Sequence, residues 1–335
     1  MKHTLSIVAV LACAAALACV TPLLLAQPAA TSKSPRTSWG APDLRGVWNG
    51  TTITPLQRPE NQDKEFLAAE EVRKLEAAAA KRNETDAPPA AGDPGTYNQI
   101  WFDPGSRWVP SRRTSLIVDP KEGRIPFTAA GLDRFRTSNA HYGQGRRAIW
   151  TDFDTGERCL TDGVPVYFAG YNNNYQIFQT ETHVVIVGEM FGDRRTIFLD
   201  GRPPTTIPQW LGNSRGRWDG DTLVVETTGF ADKGHYWWAG AWRASRPSLR
   251  LVERFTRADA ETIDYQFAME DPEMFTRPWT AQYPLSTNQA SKGVTVGRLY
   301  EYACHEGNYA LPNTMKGWLA DHPEDASARG TAVLR

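Results

Sequence analysis

The sequence predicts a mainly β fold, in which an antiparallel meander closes into a barrel or a sandwich and carries a few short helices. Short runs of β-branched and aromatic residues recur through the second half of the chain. Turn-forming Gly, Asn, Asp and Pro residues separate these runs. Long helices are not predicted between them, which argues against a parallel α/β fold.

Before residue 160 the predicted elements are sparse. Residues 43–50 are predicted to form a first strand, and the apolar spacing over 64–82 predicts a helix. The Pro- and Gly-rich segment 86–95 is predicted to be a loop, and 114–118 a strand. Thr128 can N-cap a short helix that runs to residue 135.

The clearest part of the meander follows, with three strands predicted at 175–180, 183–190 and 194–199. Asp219-Gly220 predicts a tight turn between strands at 214–218 and 222–228. Further strands are predicted at 249–256, 262–270, 279–283 and 298–304. The aromatic residues 235–238 and Trp242 are assigned to an irregular loop, and the tail from 308 is helical or irregular.

The N-terminus is typical of a signal peptide at residues 1–26. Lys2 and His3 precede an almost unbroken apolar run that ends near Ala26. We therefore expect a periplasmic or secreted protein, with lipidation at Cys13 or Cys19, or a retained anchor, as alternatives. Residues 27–42 are predicted to be a flexible lead-in. Residues 43–335 are predicted to form a single β-rich domain, with a helical and loop extension at about 60–135.

Composition narrows the class of partner. The 37 Lys and Arg residues nearly balance the 38 Asp and Glu residues. This gives no electrostatic case for binding nucleic acid, or for binding a membrane beyond the signal or a lipid anchor. A small-molecule ligand or substrate is the expected partner. After signal cleavage Cys159 and Cys304 remain, and they form either one disulfide or two separate thiols.

Several strings resemble an uncharacterised exported family of soil bacteria. They lie at 113–120, 171–177, 183–186, 199–203, 216–228 and 301–309, and one of them reads Tyr-Asn-Asn-Asn-Tyr-Gln-Ile. The resemblance spans most of the mature chain and implies export and a β-rich fold, but no mechanism. The opening Gly46-Val47-Trp48 resembles that of lipocalin-type barrels, in which the Trp closes the bottom of the barrel.

The densest group of chemically active side chains is at 301–306. On an extended chain Glu301 and His305 share a face, and Glu306 follows directly. A His with a nearby carboxylate can act as a general acid or base. Strand alternation also places His183 and Glu189 on one face. The alternatives are that Glu301 and His305 satisfy backbone groups where the last strand closes the sheet, or that His183, Glu189 and His305 bind a divalent metal.

Glu253 falls among the apolar positions of its strand, where a carboxylate must be paired, protonated or at a pocket. Arg195 is the candidate ion-pair partner, and a catalytic acid is the other interpretation. Asn172 and Asn174 are candidates for a polar clamp on substrate, or for a turn. The predicted substrate contacts are completed by Tyr175, Arg195 and Trp218.

The leading functional hypothesis is an exported β-barrel enzyme that uses cofactor-free acid/base chemistry. It would catalyse a hydrolysis, an elimination or an isomerisation, and its substrate would be a small polar or aromatic molecule such as a glycoside. Its predicted catalytic residues are His305, Glu301, Glu306, Glu253, His183 and Glu189. The alternatives are a non-catalytic lipocalin-like carrier or sugar-binding protein, and a metal-dependent enzyme with His and Glu ligands.

Overall fold

The computed structural model describes residues 34–83, 103–141, 145–168, 170–232, 242–243, 247–287 and 299–330. The predicted signal peptide, the loop at 86–95 and the aromatic residues 235–238 lie outside this part of the chain. Within it, none of the helices combines the length and the apolar character needed to cross a bilayer.

The described residues form ten strands, and nine of them close into a barrel, which confirms the mainly β prediction. The strands are β1 (Gly46–Asn49), β2 (Ile117–Asp119), β3 (Asn174–Gln179), β4 (His183–Gly188), β5 (Arg194–Phe198), β6 (Asn213–Asp219), β7 (Thr222–Thr228), β8 (Arg250–Arg257), β9 (Thr262–Glu270) and β10 (Trp279–Ser286). The barrel order is β1 followed by β3 through β10. It closes where Asn49 of β1 pairs with Ser286 of β10, and β2 lies outside along β10.

One pair of neighbours departs from the predicted antiparallel meander. β5 and β6 are parallel, with Ile197 opposite Ser214, and residues 199–212 carry the chain back between them. All other neighbouring strands in the barrel are antiparallel. The predicted Asp219-Gly220 turn joins β6 to β7, and Gly220 has the positive φ of +59° that such turns favour.

Three helices are described: α1 (Ala69–Asn83), α2 (Ala129–His141) and α3 (Ala310–Asp321). They match the helices predicted near 64–82 and 128–135 and in the tail. Thr128 caps α2 as expected, because its Oγ1 accepts a hydrogen bond from the Gly131 amide at 2.9 Å. The strand predicted at 298–304 is wrong, since residues 299–303 have no regular structure and 304–307 form a turn.

The barrel interior is filled by side chains from alternate positions of its strands. They include Trp48, Ile177, Ile197, Leu223, Phe255, Tyr265, Phe267, Trp279 and Tyr283, each at most 2% exposed. Aromatic rings pack closely there, as between Phe255 and Tyr265, whose centroids are 4.8 Å apart. Because this interior is a packed core, a ligand has to bind at an end of the barrel or on its outside.

Trp48 is fully buried beneath Arg257, at the turn between β8 and β9. Its indole Nε1 donates to the Leu44 carbonyl at 2.9 Å, and the Arg257 guanidinium lies 4.5 Å from its ring centroid. Arg257 also donates to the carbonyls of Asp259 and Ala260, each at 2.7 Å. This cation–π contact and its backbone bonds cover one end of the barrel.

Candidate functional site

The three charged residues predicted at 301–306 line a single surface cavity. Glu301, His305 and Glu306 share this cavity of about 290 Å³ with Cys159, Phe191, Tyr302, Ala303 and Cys304. All three charged side chains are exposed, and none of them has a hydrogen-bond partner among the described residues. An imidazole and two carboxylates are therefore free to contact a molecule that enters the cavity.

The wall of this cavity is held in place covalently. Cys159 and Cys304 form a disulfide with a Cα–Cα distance of 5.7 Å, which settles the pairing that the sequence left open. The Phe191 and Tyr302 ring centroids are 5.0 Å apart in an edge-to-face contact. These contacts fix the segment 299–308 (below, the cover segment) although it belongs to no strand.

The cover segment also reaches a buried carboxylate. The Tyr300 amide donates to Glu189 Oε1 at 3.0 Å, and Asn174 Nδ2 donates to Glu189 Oε2 at 2.8 Å. Glu189 is only 3% exposed. Its carboxylate therefore anchors the cover segment and does not itself open into the cavity.

The prediction that His183 and Glu189 share a face is wrong. β4 ends at Gly188, and Glu189 has a helical backbone (φ −65°, ψ −43°) at the start of the short helix Met190–Gly192. His183 stands at the opposite end of β4, where its Nδ1 is 2.7 Å from Thr182 Oγ1 and its ring packs on Phe198. The strand from His183 to Gly188, a length of roughly 17 Å, separates the two side chains.

A network of amides joins Glu189 to a second carboxylate, that of Asp103. Asn49 Nδ2 donates to Asn174 Oδ1 at 3.2 Å and to Asp103 Oδ2 at 3.4 Å, and Asn173 donates to Asp103 Oδ1. Burial raises the pKa of Asp103 to about 7; hydrogen bonds from Asn173 and Asn49 oppose the rise, and the Glu189 charge adds to it. Near neutral pH the Asp103 carboxyl group is therefore protonated in part of the molecules and ionised in the rest.

The Asp103 pKa predicts a specific pH dependence of stability. The folded state holds this proton more tightly than the unfolded chain, in which the pKa is near 3.8. Asp103 therefore lowers the unfolding free energy as pH rises from about 4 to 7, by roughly 1.4 kcal/mol per pH unit at most. The difference in stability between wild type and Asp103→Asn, measured by urea unfolding at each pH, should show this slope. A difference that stays constant from pH 4 to 7 would contradict it.

Another partly buried carboxylate occupies the same turn as Glu189. Asp193 Oδ2 accepts hydrogen bonds from Thr161 Oγ1 at 2.6 Å and from the Asp162 amide at 2.9 Å. Burial raises its pKa to about 6 despite these bonds. Asp162 in turn pairs with Arg243 at 3.2 Å. The end of the barrel that carries the cover segment is therefore rich in carboxylates, each held by specific donors.

Glu253 is an ion-pair partner inside the barrel. Both of its oxygens are bonded by the Arg195 guanidinium, one of them at 3.0 Å, and Tyr265 donates its hydroxyl at 2.6 Å. Glu253 is fully buried, and burial holds the pKa of Tyr265 well above its ordinary value. The ion-pair prediction is confirmed, and neither Glu253 nor Arg195 is placed to contact a ligand.

The remaining predicted substrate contacts lie away from the His305 cavity lining. Asn172 has a φ of +53°, as expected of a turn residue. The Tyr175 hydroxyl donates to the Tyr167 carbonyl at 2.6 Å inside the protein, where burial raises its pKa. Trp218 is partly buried against the core. Asn174 belongs to the Glu189 network and supports the cavity only indirectly.

The described residues contain no group of three His, Cys, Asp or Glu side chains arranged to hold a metal ion. His183, Glu189 and His305, proposed as ligands from the sequence, are therefore not brought together as one set. Their separation follows from the position of His183 at the far end of β4 and on its outer side.

Sequence reasoning missed the carboxylates Asp103 and Asp193 and the amide of Asn49. Asp103 precedes a proline in a loop, and Asp193 follows a turn, so neither falls on a strand pattern that would mark it. Only the long-range pairing of β1, β3 and β4 reveals the Asp103 network.

Comparison with known proteins gives no match: no family model matches the chain, and no curated protein or solved structure is significantly similar to it. Any functional assignment therefore depends on the geometry of the site.

Proposed function

We propose that this chain is an exported enzyme that moves protons within the His305 cavity. The reaction would be the hydrolysis, elimination or isomerisation of a small polar or aromatic molecule such as a glycoside. The observation that carries the proposal is that His305, Glu301 and Glu306 line one cavity, and that none of their side chains is hydrogen-bonded to another described residue. A general acid or base must be within reach of substrate, and the position of these three residues around one cavity supports that role.

His305 is assigned as the proton shuttle. An imidazole can accept a proton from one substrate atom and return it to another near neutral pH, and this needs no cofactor. Glu301 or Glu306 would serve as the partner acid, or would orient the imidazole once substrate is bound, since neither is hydrogen-bonded to it among the described residues. Phe191 and Tyr302 add apolar ring surface to the same cavity. A substrate with a ring and polar substituents would use both kinds of contact.

Glu189 is assigned a positioning role. Its carboxylate holds the Tyr300 amide, and Tyr300 directly precedes the residues that line the cavity. The Asn174 side chain fixes the other oxygen of Glu189. Replacing Glu189 would therefore disturb where Glu301 and His305 stand, without removing a group that touches substrate.

The export component of the proposal has two supports. The first 26 residues have the composition of a signal peptide. The Cys159–Cys304 disulfide is the second, because such bonds persist mainly in oxidising compartments.

A lipocalin-like carrier has less support. The supporting observation is that Trp48 is buried beneath Arg257, as the resemblance of Gly46-Val47-Trp48 to the start of lipocalin-type barrels predicts. A carrier of that type would hold its ligand inside the barrel, however, and aromatic side chains such as Phe267 and Trp279 fill this interior.

The enzymatic proposal is tested by His305→Ala. The wild-type mature protein is first assayed on a panel of aryl glycosides, esters and small hydroxy acids. On any substrate that it turns over, His305→Ala should lower kcat by about 10²–10⁴-fold, the usual contribution of a general acid or base. The His305 side chain is exposed and makes no hydrogen bond to another described residue, so the variant should keep the wild-type melting temperature.

His183→Ala is the matched control, because it removes an imidazole from the outer side of β4. Its kcat should equal that of wild type. Equal losses in both variants, or an undiminished kcat in a folded His305→Ala protein, would remove His305 from the mechanism.

A further inference from the structure

A second cavity has a lining separate from that of the His305 cavity. It lies between the chain that precedes β6 and the chain that follows β7. Its volume is about 520 Å³, within the range of about 300–1,000 Å³ typical of small-molecule sites. It is lined by Pro208, Gln209, Trp210, Ala231 and Asp232. We call it the Trp210 groove.

The floor of the Trp210 groove is held together by backbone hydrogen bonds. Gln209 and Phe230 form a parallel bridge, in which the Gln209 amide donates to the Gly229 carbonyl at 3.0 Å and the Ala231 amide donates to the Gln209 carbonyl at 2.9 Å. The Phe230 side chain beneath is 1% exposed. Gly212 allows this packing, because a Cβ there would approach the Phe230 ring to 2.8 Å. A preformed floor reduces the entropy that a ligand must offset on binding.

The groove presents polar groups that make few or no hydrogen bonds to the part of the chain that the structure describes. The partly buried Trp210 indole and the exposed Asp232 carboxylate have no hydrogen-bond partner among the described residues. The side-chain amide of Gln209 makes one long hydrogen bond among the described residues, from Nε2 to the Ile207 carbonyl at 3.3 Å. The groove thus combines a ring face, an N–H donor, an amide that both donates and accepts, and a carboxylate acceptor.

This set of groups selects a class of ligand. A sugar ring has an apolar C–H face that can lie on an indole, and its hydroxyls both donate and accept hydrogen bonds. A simple cation would leave the donors of Trp210 and Gln209 unused, and an acidic ligand would meet the charge of Asp232. We propose that the Trp210 groove binds a neutral sugar unit of an oligosaccharide or polysaccharide.

The proposal is tested with neutral polysaccharides as probes. The mature protein is run on native gels that contain an α-glucan, a β-glucan, a xylan or a mannan, and at least one should retard it. Trp210→Ala should weaken that retention about tenfold, since it removes the ring face. Trp210→Phe should keep most of the binding, and Asp232→Asn should weaken it by a smaller factor.

Ile207→Ala is the matched control, because Ile207 is 65% exposed beside the groove but does not line it. It should bind as wild type does, and all variants should melt at the wild-type temperature. The proposal is overturned if no neutral polysaccharide retards the wild-type protein, or if folded Trp210→Ala is retarded equally. Retention only on a polyamine such as chitosan would likewise overturn it and point to a cation.

The sugar site and the His305 site can fail separately. His305→Ala should still be retarded by the glycan, and Trp210→Ala should still turn over a small soluble substrate. Loss of glycan binding in His305→Ala, with none in Trp210→Ala, would place the sugar at the other cavity and overturn the assignment of the groove.

Discussion

Arg195→Met is expected to lower the free energy of unfolding by about 3–5 kcal/mol, because it leaves the Glu253 carboxylate buried without its cation. Glu253 is fully buried and takes both hydrogen bonds of the Arg195 fork. The remaining bond, from Tyr265 at 2.6 Å, cannot compensate a whole charge. Urea unfolding followed by tryptophan fluorescence would measure the loss.

A control and a rescue make the Arg195 result specific. Arg250→Met removes an arginine from β8 that pairs with Glu226 and Glu270 in exposed positions, so it should cost less than about 1 kcal/mol. Removing the whole network in Arg195→Met/Glu253→Leu/Tyr265→Phe should recover most of the stability, since no buried charge is left unpaired. An Arg195→Met protein as stable as wild type would show that the pair is not buried as described.

Loss of the disulfide is the other large effect that we expect. The double variant Cys159→Ser/Cys304→Ser should lose about 2–5 kcal/mol, because the bond joins residues 145 apart in sequence and restricts the unfolded chain. Thermal unfolding with and without reductant would measure it. Reductant should lower the melting temperature of wild type to that of the double variant.

The same variant separates global from local effects. The disulfide attaches the cover segment to the turn at 155–159, which precedes β3, and Tyr300 adds one backbone hydrogen bond to Glu189. Limited proteolysis under native conditions should therefore cut the double variant first within 299–308. Cleavage elsewhere, or a melting temperature that reductant does not change in the wild-type protein, would contradict this role.

The strands of the second half of the barrel could be predicted because their signals are local. In β9, Ile263, Tyr265, Phe267 and Met269 alternate with polar residues, and all four point into the core. Asp219-Gly220 marked the hairpin of β6 and β7. Barrel closure could not be distinguished from a sandwich, because it depends on one long-range pairing between Asn49 and Ser286. The parallel pairing of β5 and β6 has no local signal either.

The part of the site that could be predicted also has a local sequence signal. Glu301, His305 and Glu306 are close in sequence, so their shared cavity follows from one short segment. The strand predicted there does not form, and the strands at the closure of the barrel have other partners: β1 pairs with β3 and β10, and β10 also pairs with β9 and β2. Alternation failed at Glu189, which lies just beyond the end of β4. Asp103 enters the site only through the pairing of distant strands.

The location of a bound ligand tests the proposed site most directly. The measurement is a crystal structure of the mature protein with the product, or an unreactive analogue, of a substrate found in the activity panel. We predict a ligand in the His305 cavity with a polar atom within hydrogen-bond distance of an imidazole nitrogen and its ring against Tyr302. A ligand bound elsewhere, with only solvent beside His305, would contradict the assignment of this cavity as the active site.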